Sequence, residues 1–389
     1  MEFRELIAKK VTELKPSGIR KFFDLLETME DAISLGVGEP DFQTPWHIRD
    51  AGVYSLEKGF TKYTPNAGMM ALRQEISKYM LRRFGLRYDP AEQIIVTVGG
   101  SEGIDLSLRM LLEPGDEVII PTPSFVCYGP LTIMAGGTPV YVETRQEDDF
   151  KLTPELLRSA LTPRTKVLVL PYPCNPPGGV MEKADLEAVA EVLKDTRVAV
   201  ISDEIYAELT YGGKHCSPAS LPSLYDRTIV VNGFSKAFAM TGWRLGYLCA
   251  PRDAIRQMVK IHQFGIMSAP TTSQYAAIEA MRSGDKDIEA MRGEYDRRRR
   301  FLVRGLRQAG LACYEPRGAF YVFPDIRSTG LTSEDFCESF LRAERVAVIP
   351  GSAFGPGGEG FVRMCYAASM EDLREALRRL GEFLKEIKG

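Results

Sequence analysis

Between Pro90 and Pro251, short runs of apolar and β-branched residues alternate with segments whose apolar positions recur at helical spacing. Apolar strands that alternate with helices are typical of a mainly parallel β-sheet covered on both faces. The pattern therefore predicts an α/β domain, whose ligands are expected at the carboxyl ends of the strands. The predicted strands are residues 94–98, 118–121, 139–142, 166–170, 198–202, 228–231 and 245–250, and the clearest helices are 101–112 and 184–193.

After Asp287 the pattern changes to a long polar helix, three short strands and a terminal helix. This mixture predicts a second, smaller α+β domain. The first 15 residues look like an amphipathic arm, and Ser17 is a candidate N-cap for a helix over residues 16–30. We therefore predict a large domain over 46–286 and a small domain formed by 1–45 and 287–389. In the small domain the predicted helices cover 288–309 and 370–387, and the strands cover 319–323, 346–349 and 361–367.

The charge and composition of the chain exclude several classes of function. The 389 residues include 49 Lys and Arg against 52 Asp and Glu, and a net charge of −3 gives no electrostatic case for nucleic acid. Seven cysteines without a C-x-x-C pair and three widely separated histidines argue against a disulfide framework and a metal site. There is no run of about 18 apolar residues, and the first residues lack a signal-peptide pattern. We expect a cytoplasmic protein with no membrane, metal or nucleic-acid partner.

A lysine in unusual surroundings follows the strand predicted over 228–231. Lys236 lies in a segment rich in small residues, where a solvated lysine is the ordinary interpretation. A lysine whose pKa is lowered by burial or by a neighbouring charge becomes a nucleophile that forms Schiff bases with carbonyl compounds. Arg244 and the hydroxyl of Ser235 can together bind one phosphate. The segment is therefore a candidate for covalent chemistry on a phosphorylated carbonyl compound.

Polar residues also follow three other predicted strands. Asp203 lies at the carboxyl end of a predicted inner strand, where a carboxylate is costly unless it meets a cation. The protonated ring nitrogen of pyridoxal phosphate is such a cation, and Asn175 and Tyr206 supply donors for its phenolate oxygen. Gly100 and Ser101 open a helix whose N-terminal N–H groups suit a phosphate. The segment does not match G-x-G-x-x-G, which weakens a dinucleotide alternative.

Taken in order, these motifs resemble those of the fold-type I, pyridoxal-phosphate-dependent class I aminotransferases over nearly the full chain. The likeness is strongest to the γ-type subgroup, which includes aspartate, aromatic and broad-range members. It rests on SLGVGEPDF at 34–42, YTPNAG at 63–68, NPPG at 175–178, DEIY at 203–206, SK-x5-G-x-R-x-G at 235–246 and FVRM at 361–364.

The resemblance implies a role for each residue that would touch the cofactor. Lys236 would be the Schiff-base lysine and would move the proton between the substrate α-carbon and the cofactor. Asp203 would pair with the pyridine nitrogen, so that the ring withdraws electrons. Tyr206 and Asn175 would hold the phenolate oxygen. The other implied contacts are Gly100, Ser101, Ser235 and Arg244 on the phosphate and Phe125 on the ring face.

The resemblance also implies how the substrates and a second subunit would bind. Arg363 would grip the α-carboxylate of an amino acid or 2-oxo acid in a bidentate pair, helped by Asn175 and the backbone of Gly38. Tyr63 would reach the phosphate of the neighbouring subunit's cofactor. The expected assembly is therefore a homodimer with shared active sites.

Two positions depart from the family pattern, and a third bears on substrate preference. Pro177 replaces the usual threonine after Asn-Pro, and Phe125 lacks the polar group of Tyr or Trp. Ser101 stands where some aspartate-preferring γ-type members carry a lysine. Residues 19–23 and 123–128 are predicted to line an apolar pocket, so we expect aromatic or broad-range amino acids to be preferred, with 2-oxoglutarate as acceptor. The alternatives are aspartate transamination, β-elimination or decarboxylation with the same cofactor, and a non-catalytic regulatory protein.

Four consecutive arginines at 297–300 lie within the long polar helix. Glu289, Glu294 and Asp296 are close in sequence and balance their charge. We therefore predict a solvated helix face and not a phosphate or nucleic-acid site.

Overall fold

The structure is a computed structural model that describes residues 2–14, 16, 18, 29 and 31–388. The predicted arm is a 3₁₀ turn at Phe3–Leu6 followed by a short helix, α1, at Lys9–Thr12, and neither contains a buried residue. The helix predicted over 16–30 with its N-cap Ser17, and the pocket-lining stretch 19–23, lie outside the described residues, apart from residues 16, 18 and 29.

The remaining elements follow in chain order. The strands are β1 (Ile33–Ser34), β2 (Ile94–Thr97), β3 (Glu117–Thr122), β4 (Thr138–Glu143), β5 (Thr165–Leu170), β6 (Ala199–Asp203), β7 (Thr228–Gly233), β8 (Gly246–Cys249), β9 (Ala312–Cys313), β10 (Tyr321–Val322), β11 (Pro324–Asp325), β12 (Val346–Ala347), β13 (Ile349–Pro350) and β14 (Val362–Cys365). The helices are α2 (Trp46–Glu57), α3 (Met70–Phe84), α4 (Gly100–Leu111), α5 (Tyr128–Met134), α6 (Pro154–Ala160), α7 (Lys183–Leu193), α8 (Pro222–Tyr225), α9 (Arg252–Gly265), α10 (Thr271–Ser283), α11 (Asp285–Gln308), α12 (Ser333–Glu344) and α13 (Met370–Lys388). Further 3₁₀ turns occur at Gln146–Asp148, Pro218–Ser220, Arg327–Thr329 and Gly351–Phe354.

Within the described residues, strands β2 to β8 form one sheet, which we call the large sheet, in the order β2-β8-β7-β6-β5-β3-β4. Only β8 runs antiparallel to its neighbours in this sheet, so the prediction of an α/β fold with a mainly parallel sheet of seven strands is confirmed. Successive side chains of a strand point to opposite faces. Ile94 and Val96 accordingly pack with α2, α3 and α10, whereas Ile95 packs with α4 and α9.

The C-terminal region contains smaller sheets around a separate apolar cluster. Strand β1 pairs in parallel with β12, and β14 lies between β10 and β13 in antiparallel pairing. The strand predicted over 346–349 is interrupted at Val348 and forms β12 and β13. The apolar cluster includes Phe336 and Phe340 of α12, and also Tyr206 from beyond β6. Because Tyr206 follows a strand of the large sheet and yet packs in this cluster, the cluster does not mark a domain boundary. The division into two domains stays a prediction.

The prediction of a solvated arginine face is wrong for two of the four residues on α11. Arg298 and Arg299 are buried, with 7% and 8% of their surface exposed. Arg298 donates to Asp41 at 2.8 and 2.9 Å, and Arg299 pairs with Asp296 and Glu315. Carboxylates of the same helix and of other segments, together with the carbonyl of Pro316, accept hydrogen bonds from these two side chains, and a buried charge needs such partners.

Three further structural facts bear on the classes of function considered above. None of the helices in the described ranges is long and apolar enough to span a bilayer. Among the same residues, no group of three or more His, Cys, Asp or Glu side chains is placed to bind a metal ion. All seven cysteines are free thiols.

Candidate active site

A cavity of about 380 Å³ opens at the edge of the large sheet where β5, β6 and β7 end. Ligand pockets of this size commonly lie at the carboxyl ends of strands in open α/β sheets. Tyr63 does not line this cavity, and 82% of its surface is exposed. The cavity does bring together the other predicted site residues: Gly38, Gly100, Ser101, Phe125, Asn175, Asp203, Tyr206, Ser235, Lys236, Arg244 and Arg363.

The antiparallel direction of β8 explains how Arg244 reaches this edge. Gly246, the first residue of β8, is paired with Thr97 and Gly233 at the ends of the neighbouring strands. Arg244 precedes β8 by two residues, so it emerges beside the loops that follow β2 and β7. Arg244 itself has a φ of 52° and donates to the carbonyl of Thr241 at 2.8 Å.

Glycine is required where the loop after β2 passes under Arg244. Gly99 has a φ of +82°, and a Cβ there would lie 2.8 Å from Nη2 of Arg244. Helix α4 begins at the next residue, Gly100, and carries Ser101 in its first turn. The guanidinium, the helix N-terminus and the hydroxyls of Ser101 and Ser235 therefore share one side of the cavity. Such a donor set suits a phosphate.

Lys236 extends into the interior of the cavity. Its amine donates to the carbonyl of Gly38 at 2.6 Å and lies 5.8 and 5.5 Å from the ring centres of Tyr206 and Phe320. Burial lowers the pKa of this amine to about 8, although Glu39 and Cys365 favour the charged form. A substantial neutral fraction therefore exists near pH 8, as a nucleophilic lysine requires.

Asp203 is buried at the end of β6 and is held by two donors. Its Oδ2 accepts from the hydroxyl of Tyr128 at 2.7 Å, and its Oδ1 accepts from the backbone N–H of Ile205 at 3.2 Å. Burial raises the pKa of this carboxyl, against the opposing effect of both hydrogen bonds. The predicted pocket-lining stretch 123–128 contains Tyr128, which does line the cavity, but its hydrogen bond to Asp203 was not predicted.

Arg363 lies on β14, and its guanidinium contacts two acceptors and two aromatic rings. Its Nη1 donates to Oδ1 of Asn175 at 2.9 Å, and its Nη2 donates to the carbonyl of Gly36 at 2.7 Å. The guanidinium carbon lies 4.5 Å from the ring centre of Tyr321 and 4.8 Å from that of Phe354. Its buried Nε has no hydrogen-bond partner among the described residues. We call Arg363, Asn175, Gly36, Tyr321 and Phe354 the Arg363 clamp. The unpaired Nε–H of Arg363 suits a carboxylate.

Tyr321 is a further buried residue of the cavity wall, and it was not among the predicted site residues. Its hydroxyl lies 2.8 Å from that of Tyr206, and its ring stacks on Arg363. The cavity thus combines the donors around Arg244, a lysine whose pKa is lowered by burial, and the Arg363 clamp. This arrangement can hold a phosphorylated carbonyl compound next to a carboxylic acid.

Comparison with known proteins gives consistent matches. The family described as aminotransferase class I and II matches residues 30–380. YugH of Bacillus subtilis, provisionally named as an aminotransferase, is 52% identical over 96% of this chain and 97% of its own length. The aspartate aminotransferase of Pyrococcus abyssi is 46% identical over 96% of this chain and 97% of its own. The crystal structure of an aromatic aminotransferase from Pyrococcus horikoshii OT3 matches with a TM-score of 0.90 and 46% identity, over 94% of this chain and 99% of that one.

Proposed function

The chain belongs to the class I and II aminotransferases, and from this membership we propose that it transfers amino groups between amino acids and 2-oxo acids by using pyridoxal phosphate bound to Lys236. The observation that carries the proposal is the placement of Lys236. Its amine lies buried, with its pKa lowered to about 8, in one cavity with Asp203 and Arg363.

The residues around Lys236 fit this cofactor in charge and in hydrogen bonding. When bound, pyridoxal phosphate supplies an electron-withdrawing ring that stabilises negative charge on the substrate α-carbon. Asp203 would keep the ring nitrogen protonated, and Tyr206 and Asn175 would donate to the phenolate oxygen. The amine of Lys236 would carry the proton from the substrate α-carbon. Gly100, Ser101, Ser235 and Arg244 would hold the phosphate, and Phe125 would lie against the ring.

The Arg363 clamp positions the amino acid for this proton transfer. Asn175 and Gly36 occupy one N–H of each terminal nitrogen of Arg363, and its unpaired Nε remains to donate to a carboxylate. A bidentate pair fixes the α-carboxylate in one plane. Because Arg363 and Lys236 line the same cavity, an α-amino acid held by its carboxylate presents its α-carbon toward the lysine.

We further propose that aromatic or broad-range amino acids are preferred to aspartate. Among the described residues, the cations that line the cavity are Lys236, Arg244 and Arg363, and each already has a role. A second carboxylate on the substrate therefore finds no spare cation in this part of the chain. The proposed acceptor, 2-oxoglutarate, would need a cation from the opposite subunit. Aspartate transamination is the second candidate, because several relatives carry that name.

We also propose a cytoplasmic homodimer in which Tyr63 reaches the phosphate of the neighbouring active site. Tyr63 is 82% exposed and does not line the cavity of its own chain. An exposed apolar surface on and after α2 includes Trp46, Tyr54 and Leu56, and a surface of this kind is typical of a contact with another chain. The seven free thiols suit a reducing compartment.

An absorbance scan of the purified protein tests the proposed cofactor and the reaction together. The expected result is a near-visible band with pyridoxal phosphate that fades when phenylalanine is added without a keto acid. The amino acid that bleaches the band at the lower concentration identifies the preferred substrate class. If no band forms even with added pyridoxal phosphate, the role of Lys236 and the proposed function are wrong. Ammonia release without keto-acid dependence would indicate β-elimination instead.

Substitution of Ser101 tests the proposed substrate preference. Ser101→Lys adds a cation at the cavity, and we expect kcat/KM for aspartate to rise about tenfold relative to phenylalanine. Ser101→Ala is the matched control, because it removes the same hydroxyl without adding charge. Since the ratio of two substrates is compared, a general loss of phosphate binding cancels. An unchanged ratio in Ser101→Lys would contradict the proposed reason for the preference.

A further inference from the structure

Tyr321 contacts both Tyr206 and Arg363, two cavity residues with different proposed roles. It is 1% exposed on β10, and β10 pairs with β14, the strand of Arg363. Its hydroxyl lies 2.8 Å from that of Tyr206, and its ring centre lies 4.5 Å from the guanidinium carbon of Arg363. A Cβ on Gly38 would lie 2.6 Å from the Tyr321 hydroxyl, so only glycine leaves room for it.

The number of protons on the two tyrosines decides which of them donates. Burial raises the pKa of both Tyr206 and Tyr321, so both hydroxyls stay protonated at working pH. Each hydroxyl carries a single proton and can also accept. If Tyr206 gives its proton to an oxygen of the cofactor, Tyr321 must be the donor in the pair. A donated hydrogen bond polarises Tyr206 and strengthens the bond that Tyr206 makes in turn.

The ring of Tyr321 acts on Arg363 in a different way. With Phe354 at 4.8 Å, it holds the guanidinium between aromatic rings, while Asn175 and Gly36 fix it by hydrogen bonds. A cation over an aromatic face is stabilised more when water is excluded, as it is here. The ring therefore defines the plane in which Arg363 meets a carboxylate.

We propose that Tyr321 is a positioning residue for both the cofactor and the substrate. Its hydroxyl fixes the direction in which Tyr206 donates, and its ring fixes the plane of Arg363. The inference rests on the proposed function and adds a residue to it. The two roles are separable, because one belongs to the hydroxyl and the other to the ring.

Two substitutions separate the roles in the pyridoxal-phosphate-loaded protein. Tyr321→Phe removes only the hydroxyl, so we expect the pKa measured from the pH titration of the visible band to rise by about half a unit or more, because Tyr206 donates more weakly. The KM for phenylalanine should stay within about twofold, since the ring remains. Tyr321→Leu also removes the ring, and there we expect KM to rise about tenfold.

Tyr211→Phe is the matched control for loss of a buried hydroxyl. Tyr211 donates to the carbonyl of Ala319 at 2.6 Å and does not line the cavity, so its removal should leave the band titration unchanged. A band pKa in Tyr321→Phe equal to that of the wild type would overturn the hydroxyl role. Equal KM values for Tyr321→Leu and Tyr321→Phe would overturn the ring role. Absence of any band in the wild type would instead refute the proposed function, and this inference with it.

Discussion

Two cations that line the cavity, Lys236 and Arg363, have surroundings that support their positive charges to different extents. Burial lowers the pKa of Lys236, and its amine has one carbonyl acceptor, that of Gly38. Arg363 is more deeply buried, with 3% of its surface exposed, but it contacts two aromatic rings and donates to two acceptors. Burial brings the pKa of the Lys236 amine to about 8, whereas the Arg363 guanidinium has two hydrogen bonds and two aromatic rings that support its charge. The difference shows how one pocket combines a nucleophile with an anion-binding residue.

Both cations depend on partners that are distant in sequence. Asp203 ends β6 and Lys236 follows the neighbouring strand β7, but the acceptor of the Lys236 amine, Gly38, is 198 positions away. Arg363 donates to Gly36, which is 327 positions away in sequence, and to Asn175, which is 188 positions away. A change at the sheet edge should therefore affect chemistry, and a change in the Arg363 clamp should affect binding.

The largest effect is expected from Lys236→Ala. Loss of the amine removes both the covalent attachment and the proton carrier, so we expect the rate of the half-reaction with phenylalanine to fall about a thousandfold or more. The measurement is single-turnover bleaching of the cofactor absorbance. Lys183→Ala on the exposed face of α7 is the control. Retention of more than about a tenth of the rate would contradict the assignment of the nucleophile.

The second effect is expected from Arg363→Lys, which keeps the charge but loses the planar fork. We expect kcat/KM to fall about a hundredfold, mostly through KM, because the carboxylate loses a bidentate partner. Steady-state kinetics with phenylalanine separates the two constants. Arg109→Lys on α4, at an exposed ion pair with Asp105, controls for the substitution itself. A loss confined to kcat would show that binding and chemistry are not divided as we infer.

A smaller effect is expected from Tyr128→Phe, which acts on Asp203. Burial raises the pKa of the Asp203 carboxyl and the hydrogen bond from Tyr128 lowers it. Without that bond the pKa of Asp203 rises further. The acid limb of the pH profile of kcat/KM should therefore move up by about half a pH unit. Tyr141→Phe, at a partly exposed position on β4, is the control. An acid limb that stays in place would contradict the coupling of these two residues.

The smallest effect is expected outside both regions, from His47→Gln on α2. Partial burial lowers the pKa of His47, but the bonds to Asp287 at 3.0 Å and Glu279 at 2.8 Å outweigh it and raise the pKa. A histidine with a raised pKa stabilises the fold fully below its unfolded pKa of about 6.5, and this stability is lost as pH rises through the folded pKa. The side chain is 37% exposed, so we expect Tm to fall by only about one to three degrees at pH 6.

At pH 9 the same variant should melt close to the wild type, because His47 is then neutral in both states. Its kinetic constants should stay within about twofold at either pH. Thermal melts at both pH values provide the measurement. A Tm difference that does not depend on pH would show that the ring contributes by packing and not by its charge.

The sequence by itself determined the large sheet and most residues of the cavity. Strands β2 to β8 were readable because a sheet buried on both faces needs uninterrupted apolar runs. Asp203, Ser235 and Lys236 were then placed together because parallel strands end at one edge. Even Arg244, before the antiparallel β8, followed from its spacing to Lys236 in a recognisable motif.

The tertiary structure alone decided how those residues are tuned. The lowered pKa of Lys236 depends on burial, and the partners of Arg363 come from both halves of the chain. Tyr321 carries the sequence signature of a core residue, and nothing local distinguishes its hydroxyl from that of Tyr211. Arg298 has the pattern of a solvated helix face and is buried against Asp41. Desolvation and long-range pairing depend on the distances between segments, and local periodicity carries no information about those distances.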